Sequence, residues 1–132
     1  MEFNKIRAMH FPNDVYIGHD AIQNIRHVAE KNLKSGSILI VSGKKTYQIA
    51  GEEVKEKLQG LDYRIIMAGN ATMDTIKKTK EEISGTKIGL VIGVGGGSKI
   101  DIGKKIAYDL DVPFISVPTA PLPQYYQIYH NQ

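Results

Sequence analysis

The stretch from Val91 to Asp101 constrains the fold of this chain more than any other, because an apolar run leads directly into consecutive glycines. The loop consists of Gly95, Gly96, Gly97 and Ser98. Glycines allow a sharp turn and let backbone N–H groups approach an anion without interference from a Cβ atom. The helix that follows presents unpaired N–H groups and the positive end of its dipole to the same charge. The stretch therefore predicts a strand, a loop that cradles phosphate, and a helix, with a nucleotide-like ligand.

Apolar runs and helical patterns alternate along the rest of the chain. Predicted strands cover residues 15–18, 37–42, 63–68, 87–92 and 114–117, and predicted helices cover 21–33, 46–58, a third segment ending near 83–84, and 98–110. Asp20 is the expected cap of the first helix, and either Thr72 or Asp74 caps the third. Such alternation with short connections predicts an α/β fold, an open Rossmann-like parallel sheet with flanking helices and right-handed crossovers. The uninterrupted apolar run at 37–42 is typical of a strand buried on both faces.

Three loops are expected to converge at one edge of this sheet, because ligands of open α/β sheets collect at the carboxyl ends of the strands. They are residues 42–44, the glycine loop and residues 118–120. Gly43 and its neighbours form a plausible wall for an adenosine, and Thr119 is placed to contact a cofactor or to serve as a plain turn residue. Lys44 and Lys45 either pair with a 2′-phosphate or are solvated surface lysines.

The glycine loop departs from the usual dinucleotide fingerprint. Gly93 and Gly95 fit the first two glycine positions, but Ser98 occupies the third, and the loop follows a late strand. The alternative to a phosphate-binding loop is a tight turn that needs its glycines for packing alone. The stretch from Ser42 to Thr46 is not a P-loop, because Ile38 stands where the first glycine is required. Asp101 is expected in the first turn of the following helix, where it either complements the helix dipole or hydrogen-bonds the loop amides or a cofactor ribose.

Composition excludes several classes of protein. The chain has 132 residues, a net charge of +3 without a dense basic patch, and no cysteine. We therefore expect a single globular domain, with no disulfide, thiolate metal site or nucleic-acid partner. No apolar stretch approaches a membrane span, and the amino terminus lacks an apolar signal core, which favours the cytoplasm. The histidines, His10, His19, His27 and His130, show no ligand spacing and are expected to be structural or exposed.

Several segments in the same order resemble one family. Residues 11–20, 41–46, 71–74, 91–101 and 114–121 are similar to the archaeal sn-glycerol-1-phosphate dehydrogenases, members of the iron alcohol dehydrogenase, glycerol dehydrogenase and dehydroquinate synthase superfamily. The glycine loop with its following Asp101 is shared across the superfamily, whereas residues 15–18 and 113–121 favour the glycerol-phosphate branch. The resemblance covers residues 8–121, the amino-terminal part of the family's enzyme.

The resemblance implies a specific activity for the full enzyme. It reduces dihydroxyacetone phosphate to sn-glycerol 1-phosphate with NADH or NADPH for archaeal phospholipid synthesis, and zinc polarises the substrate carbonyl. Carried over by position, the residues from Gly95 to Lys99 hold the pyrophosphate, and Thr119 with Ala120 lies on the nicotinamide side. The implied partner is a dinucleotide, NAD or NADP, with no nucleic acid and no membrane.

The chain departs from the family after Pro121. The family continues with Ser-His-Asp-Gly, where this chain has Leu122, Pro123, Gln124 and Tyr125, and a further cofactor-contacting serine falls at Ile128. The resemblance implies that the family's metal ligands belong to a helical carboxyl-terminal domain, which we do not expect among these 132 residues. We therefore expect an NAD(P)-binding domain over residues 1–121, a divergent tail over 122–132 that is truncated or out of frame, and no metal ligands.

Two further expectations follow from this departure. The chain alone is expected to show no turnover, and its exposed interdomain face favours a homo-oligomer or other association. The alternatives are a fragment like glycerol dehydrogenase, or a stand-alone NAD(P)- or phosphate-binding module without catalysis.

Overall fold

A five-stranded parallel sheet forms the centre of the molecule, in a computed structural model that describes residues 14–16 and 19–119. The strands are β1 (Asp14–Tyr16), β2 (Ser37–Ser42), β3 (Tyr63–Met67), β4 (Ile88–Gly95) and β5 (Phe114–Pro118). Their order across the sheet is β1-β5-β4-β2-β3, and every neighbouring pair is parallel. The predicted open parallel α/β fold is confirmed. The tail at 122–132 lies outside the described residues.

Helical segments connect the strands on both sides of the sheet. They are a 3-10 helix (His19–Asn24), α1 (Ile25–Asn32), α2 (Lys44–Thr46), a π-helical turn (Tyr47–Gly51), α3 (Glu52–Lys57), α4 (Met73–Glu82) and α5 (Gly97–Leu110). None of the helices in the described ranges is long and apolar enough to cross a bilayer.

The second predicted helix differs most from its expectation. It starts at Lys44, two residues earlier than expected, and a π-helical turn interrupts it before Glu52. The Tyr47 ring packs against Gly51, where a Cβ atom would lie 2.4 Å from Cδ2 of the ring. The N–H of Glu52 bonds to the carbonyl of Tyr47, five residues back, which is the widened hydrogen bond of a π turn.

The starts of two other helices show which of the predicted N-cap residues are correct. The first helical segment begins as a 3-10 helix at His19, so Asp20 lies inside it and the prediction that Asp20 precedes the helix is wrong. At α4, the Thr72 hydroxyl accepts a hydrogen bond from the N–H of Thr75 at 3.1 Å. Thr72, rather than Asp74, is therefore the cap.

Alternation along the strands divides the core into two layers. Ile38 and Ile40 of β2 face the layer that contains α1 and α3, whereas Leu39 and Val41 face the layer that contains α4 and α5. All six residues of β2 are buried, as the continuous apolar run predicts.

Helix α5 packs closely on β4 because glycines face Phe114. A Cβ atom on Gly103 would lie 2.5 Å from Cε1 of the Phe114 ring, and one on Gly93 would lie 2.8 Å from Cζ. Gly93 is therefore a packing glycine within β4, which runs on to Gly95 rather than ending at residue 92. The close packing places the N-terminus of α5 directly over the end of β4.

Candidate functional site

The connections after β2 and β4 leave the sheet towards opposite faces. These strands are neighbours, with Ser42 paired to Val94 at their carboxyl ends. Residues of α3 pack in one core layer and residues of α5 in the other, so a crevice opens between the two strand ends. Ligands of open α/β sheets bind at such a switch point. The topology therefore selects this crevice as the candidate site.

The structure brings the three predicted loops together at this edge. The N–H of Thr119 donates to the carbonyl of Gly95 at 3.1 Å, which joins the loop after β5 to the glycine loop. A Cβ atom on Gly43 would lie 2.6 Å from Cε of Lys99, so the loop after β2 meets the start of α5. Ala120 lies outside the described residues.

The glycine loop begins at a backbone conformation that favours glycine. Gly95 has φ = 145°, which L side chains rarely adopt, and it is buried at the end of β4. Gly96 precedes the helix as its cap and has no side chain to cover the first amides. The N–H groups of Lys99 and Ile100 both bond to the carbonyl of Gly96 at 3.1 Å. The first turn is thus tightened, and Gly97 and Ser98 lie exposed at the positive end of a 14-residue helix.

Thr46 ties the ends of β2 and β4 together, a role that the sequence interpretation missed. Its hydroxyl accepts the N–H of Gly43 at 3.0 Å and lies 3.2 Å from the hydroxyl of buried Ser42. It also lies 3.4 Å from the carbonyl oxygen of Val94. The three-residue spacing from Gly43 to Thr46 is the signal for this contact, since a side chain at the third helical position reaches back to the residue before the helix.

The Lys99 side chain runs across the crevice. It passes the space beside Gly95, where a Cβ atom would lie 2.9 Å from Cγ of Lys99, and then passes Gly43. Its ammonium donates to the carbonyl of Gly69, beyond the end of β3. The ammonium of this predicted site residue therefore lies at the loop after β3, which is two strands away from β4 and its glycine loop.

Asp101 does not occupy the predicted first turn. Because α5 begins at Gly97, Asp101 is its fifth residue, and the first turn contains no acidic side chain. The residue is only 7% exposed. The prediction that Asp101 complements the helix dipole from the first turn is therefore wrong. Lys44 and Lys45, in contrast, are exposed at the start of α2.

Metal-ligating residues do not gather in the described part of the chain. Over residues 14–16 and 19–119, no group of three or more His, Asp or Glu side chains is placed to hold a metal ion. His27 is exposed on α1, while His10 and His130 and the side chain of His19 lie outside the described residues.

A second concavity lies away from the strand ends. A groove of about 1050 Å³ separates α4 from α5 and is lined by residues that include Met73, Lys77, Lys80, Lys105 and Asp109. The Asp109 carboxylate pairs with the ammonium groups of Lys80 and Lys105. Burial raises the pKa of Asp109, but hydrogen bonds from Lys105 and Lys80 outweigh it and lower the pKa below its ordinary value. None of the lining residues belongs to the loops at 42–44, 95–98 and 118–119.

Comparisons with known proteins agree with this geometry. A family model of iron-containing alcohol dehydrogenases matches residues 16–122. A glycerol-1-phosphate dehydrogenase [NAD(P)+] from Picrophilus torridus is 59% identical over 121 residues, 92% of this chain and 35% of that protein. The protein of the same name from Thermoplasma volcanium is 46% identical over 123 residues, again 92% of this chain and 35% of the relative. The chain thus spans about a third of the length of these relatives.

Solved structures show the same fold. A glycerol dehydrogenase from Schizosaccharomyces pombe superimposes with a TM-score of 0.68 at 22% identity, over 83% of this chain and 28% of that one. An iron-containing alcohol dehydrogenase from Thermotoga maritima superimposes with a TM-score of 0.69 at 22% identity, over 85% of this chain and 37% of that one.

Proposed function

The chain belongs to the iron-containing alcohol dehydrogenase family, and from that premise we propose that it binds NAD or NADP in the crevice between β2 and β4. One observation carries the proposal: the exposed N-terminus of α5 opens at the point where the connections after these two strands diverge. A pyrophosphate placed there meets unpaired amides and the positive end of the helix dipole.

The residues of the crevice fit a dinucleotide. Gly43 and Gly95 line it, and at both positions the Lys99 side chain takes the space that a Cβ atom would fill. Gly96, Gly97 and Ser98 form a loop with no bulky side chain in front of the helix. The backbone can therefore approach a phosphate closely, which is the use that glycines have in such loops.

The strand order supports a placement of the two halves of the dinucleotide. With the pyrophosphate at residues 95–98, β2 and β3 lie on one side and β5 on the other. We place the adenosine beside Gly43 and the nicotinamide beside Thr119. Asp101 is buried at the fifth residue of α5.

The reaction that we propose is the one named for the relatives. Within a protein of their length, this chain would be the cofactor-binding part of a glycerol-1-phosphate dehydrogenase that reduces dihydroxyacetone phosphate. The bound nicotinamide supplies the hydride in such a reaction. The residues of this chain hold and orient the cofactor. The described residues offer no metal site, so no zinc ligand is proposed among them.

Sequence identity favours a glycerol-1-phosphate dehydrogenase, acting on dihydroxyacetone phosphate, over a glycerol dehydrogenase. Proteins named glycerol-1-phosphate dehydrogenase are 59% and 46% identical to the chain, whereas the glycerol dehydrogenase from S. pombe is 22% identical and supports the fold alone. A stand-alone binding module without catalysis uses the same crevice, so binding and turnover need separate measurements.

Calorimetric titration of the 132-residue chain with NADH, NADPH, ADP and nicotinamide mononucleotide tests the proposal. We expect saturable binding of NADH or NADPH, measurable binding of ADP, and much weaker binding of the mononucleotide, which lacks the pyrophosphate. Absence of binding by all four ligands to a folded chain would overturn it. Tighter binding of the mononucleotide than of ADP would overturn the pyrophosphate as the main anchor of the ligand.

A further inference from the structure

Lys99 links the pyrophosphate loop to the far side of the crevice. It is the third residue of α5, its N–H is bonded to Gly96, and its side chain leads away from the loop. The stem passes Gly95 and Gly43 in a trough that exists because neither residue has a Cβ atom. The ammonium then reaches the carbonyl of Gly69 after β3. We call this arrangement of Lys99 in its trough the lysine strap.

The strap carries a positive charge to the ends of β2 and β3. Adjacent strands lie about 4.8 Å apart, so the ammonium lies roughly two strand spacings from the glycine loop. In dinucleotide-binding folds the adenosine ribose lies beside a strand that neighbours the phosphate loop, and its 2′ substituent is recognised there. The ammonium of Lys99 therefore lies on the adenosine side of the proposed site.

The loops after β2 and β3 contain no acidic residue that would select NAD. Residues 43–51 and 68–73 have neither Asp nor Glu. A carboxylate at this place binds the ribose diol of NAD and repels a 2′-phosphate, whereas a cation accommodates the phosphate. The lysine strap supplies such a cation together with exposed Lys44 and Lys45 on α2.

From this geometry we propose that Lys99 is a specificity-determining residue whose ammonium binds the 2′-phosphate of NADP. The proposal rests on the dinucleotide site proposed above and extends it. An ammonium has three donors, of which the Gly69 carbonyl accepts one. A phosphate dianion binds an ammonium more strongly than a neutral carbonyl does, because both partners are charged. The strap holds the charge in place before the ligand arrives.

The test compares ligands that differ only in the 2′-phosphate. We would measure dissociation constants of the 132-residue chain for NADPH against NADH, and for adenosine 2′,5′-bisphosphate against AMP. The variants are Lys99→Met, which keeps the apolar stem, and Lys99→Arg, which keeps the charge. Lys55→Met, at an exposed position on α3, is the matched control.

Loss of one charged hydrogen bond weakens binding by about ten- to a hundredfold. For Lys99→Met we expect this weakening in the binding of NADPH and the bisphosphate, and less than about threefold change in the binding of NADH and AMP. Lys99→Arg should recover most of the affinity for NADPH and the bisphosphate. Lys55→Met should match the unmodified chain. Circular dichroism confirms that each variant is folded.

Three results would overturn the proposal. Equal weakening of NADPH and NADH places Lys99 at the pyrophosphate or in the framework, and leaves the dinucleotide site intact. Selective loss of NADPH in Lys44→Met but not in Lys99→Met assigns the 2′-phosphate to Lys44. Failure of the unmodified chain to bind any of the four ligands removes the dinucleotide site itself, and the role of Lys99 with it.

Discussion

The Phe114 ring occupies the space that a Cβ atom on Gly103 would fill, with Cε1 of the ring 2.5 Å from that position. This close packing holds α5 against the sheet. It thereby fixes the position of the glycine loop at the start of α5. We expect Gly103→Ala to lower the free energy of unfolding by about 1–2 kcal/mol, because overpacking outweighs the better helix propensity of alanine. Urea denaturation measures the change.

A control and a rescue accompany that substitution. Gly69→Ala should change stability by less than about 0.5 kcal/mol, because no atom lies within 4 Å of its Cβ position. In the double variant Gly103→Ala with Phe114→Leu, the two effects should not add, since the smaller side chain leaves room for the methyl group. Simple additivity would show that the Phe114 contact does not determine the packing of α5.

Gly95 combines an unusual backbone conformation with close contacts. Its φ of 145° is strained for any L side chain, at a cost of about 1–3 kcal/mol. A Cβ atom would also lie 2.9 Å from Lys99 and 3.1 Å from the Thr46 hydroxyl. We expect Gly95→Ala to destabilise the chain by about this amount and to weaken binding of NADH. Thermal unfolding and calorimetry measure the two effects.

Gly43→Ala provides the comparison for that variant. Gly43 has φ = −96°, a conformation that alanine adopts readily. Its Cβ atom would meet mainly the flexible end of Lys99, at 2.6 Å from Cε. Stability should therefore change by less than about 1 kcal/mol, while the lysine strap is displaced. Equal destabilisation by the two alanines would contradict the assignment of strain to Gly95.

Thr46 holds the end of β2 through its hydroxyl. Thr46→Val keeps the shape of the side chain but removes the acceptor for the N–H of Gly43 and the partner of Ser42. We expect a loss of about 1–2 kcal/mol in unfolding free energy and faster amide exchange at Gly43. Thr46→Ser should retain most of the unfolding free energy and the slow amide exchange at Gly43, since it keeps the hydroxyl. An unchanged exchange rate in Thr46→Val would show that the hydroxyl does not hold this strand end.

Local patterns were sufficient to predict the elements and the fold class. The run at 38–41 is apolar, and Ser35 and Gly36 separate it from the predicted helix at 21–33, so the hydrophobic period and the helix-breaking residues both indicate a strand. The three ligand-side loops follow from the rule that parallel strands end at one edge. The order β1-β5-β4-β2-β3 does not follow from periodicity, because it depends on which core layer each helix joins.

Side-chain direction limited what could be predicted of the site. Lys99 was expected at the pyrophosphate because of its place in the chain, but its stem extends along a trough made by residues more than 50 positions apart, Gly43 and Gly95. Asp101 was placed in the first turn because the start of α5 was expected one residue later, at Ser98. Single-residue shifts of this kind change which turn a side chain occupies.

The ion pairs of Asp109 predict a dependence of stability on pH. Hydrogen bonds from Lys105 and Lys80 keep the pKa of Asp109 in the folded chain below its ordinary value of 3.8. A depressed folded pKa adds stability that is fully present above the unfolded pKa and is lost as pH falls through the folded pKa. We therefore expect Asp109→Asn to reduce unfolding free energy at pH 7 by up to about 1 kcal/mol, as for partly exposed ion pairs. The difference from the unmodified chain should hold at pH 5 and shrink only below pH 3.8. Urea denaturation at these pH values measures it, and a difference that instead shrinks between pH 7 and pH 5 would assign it to another group.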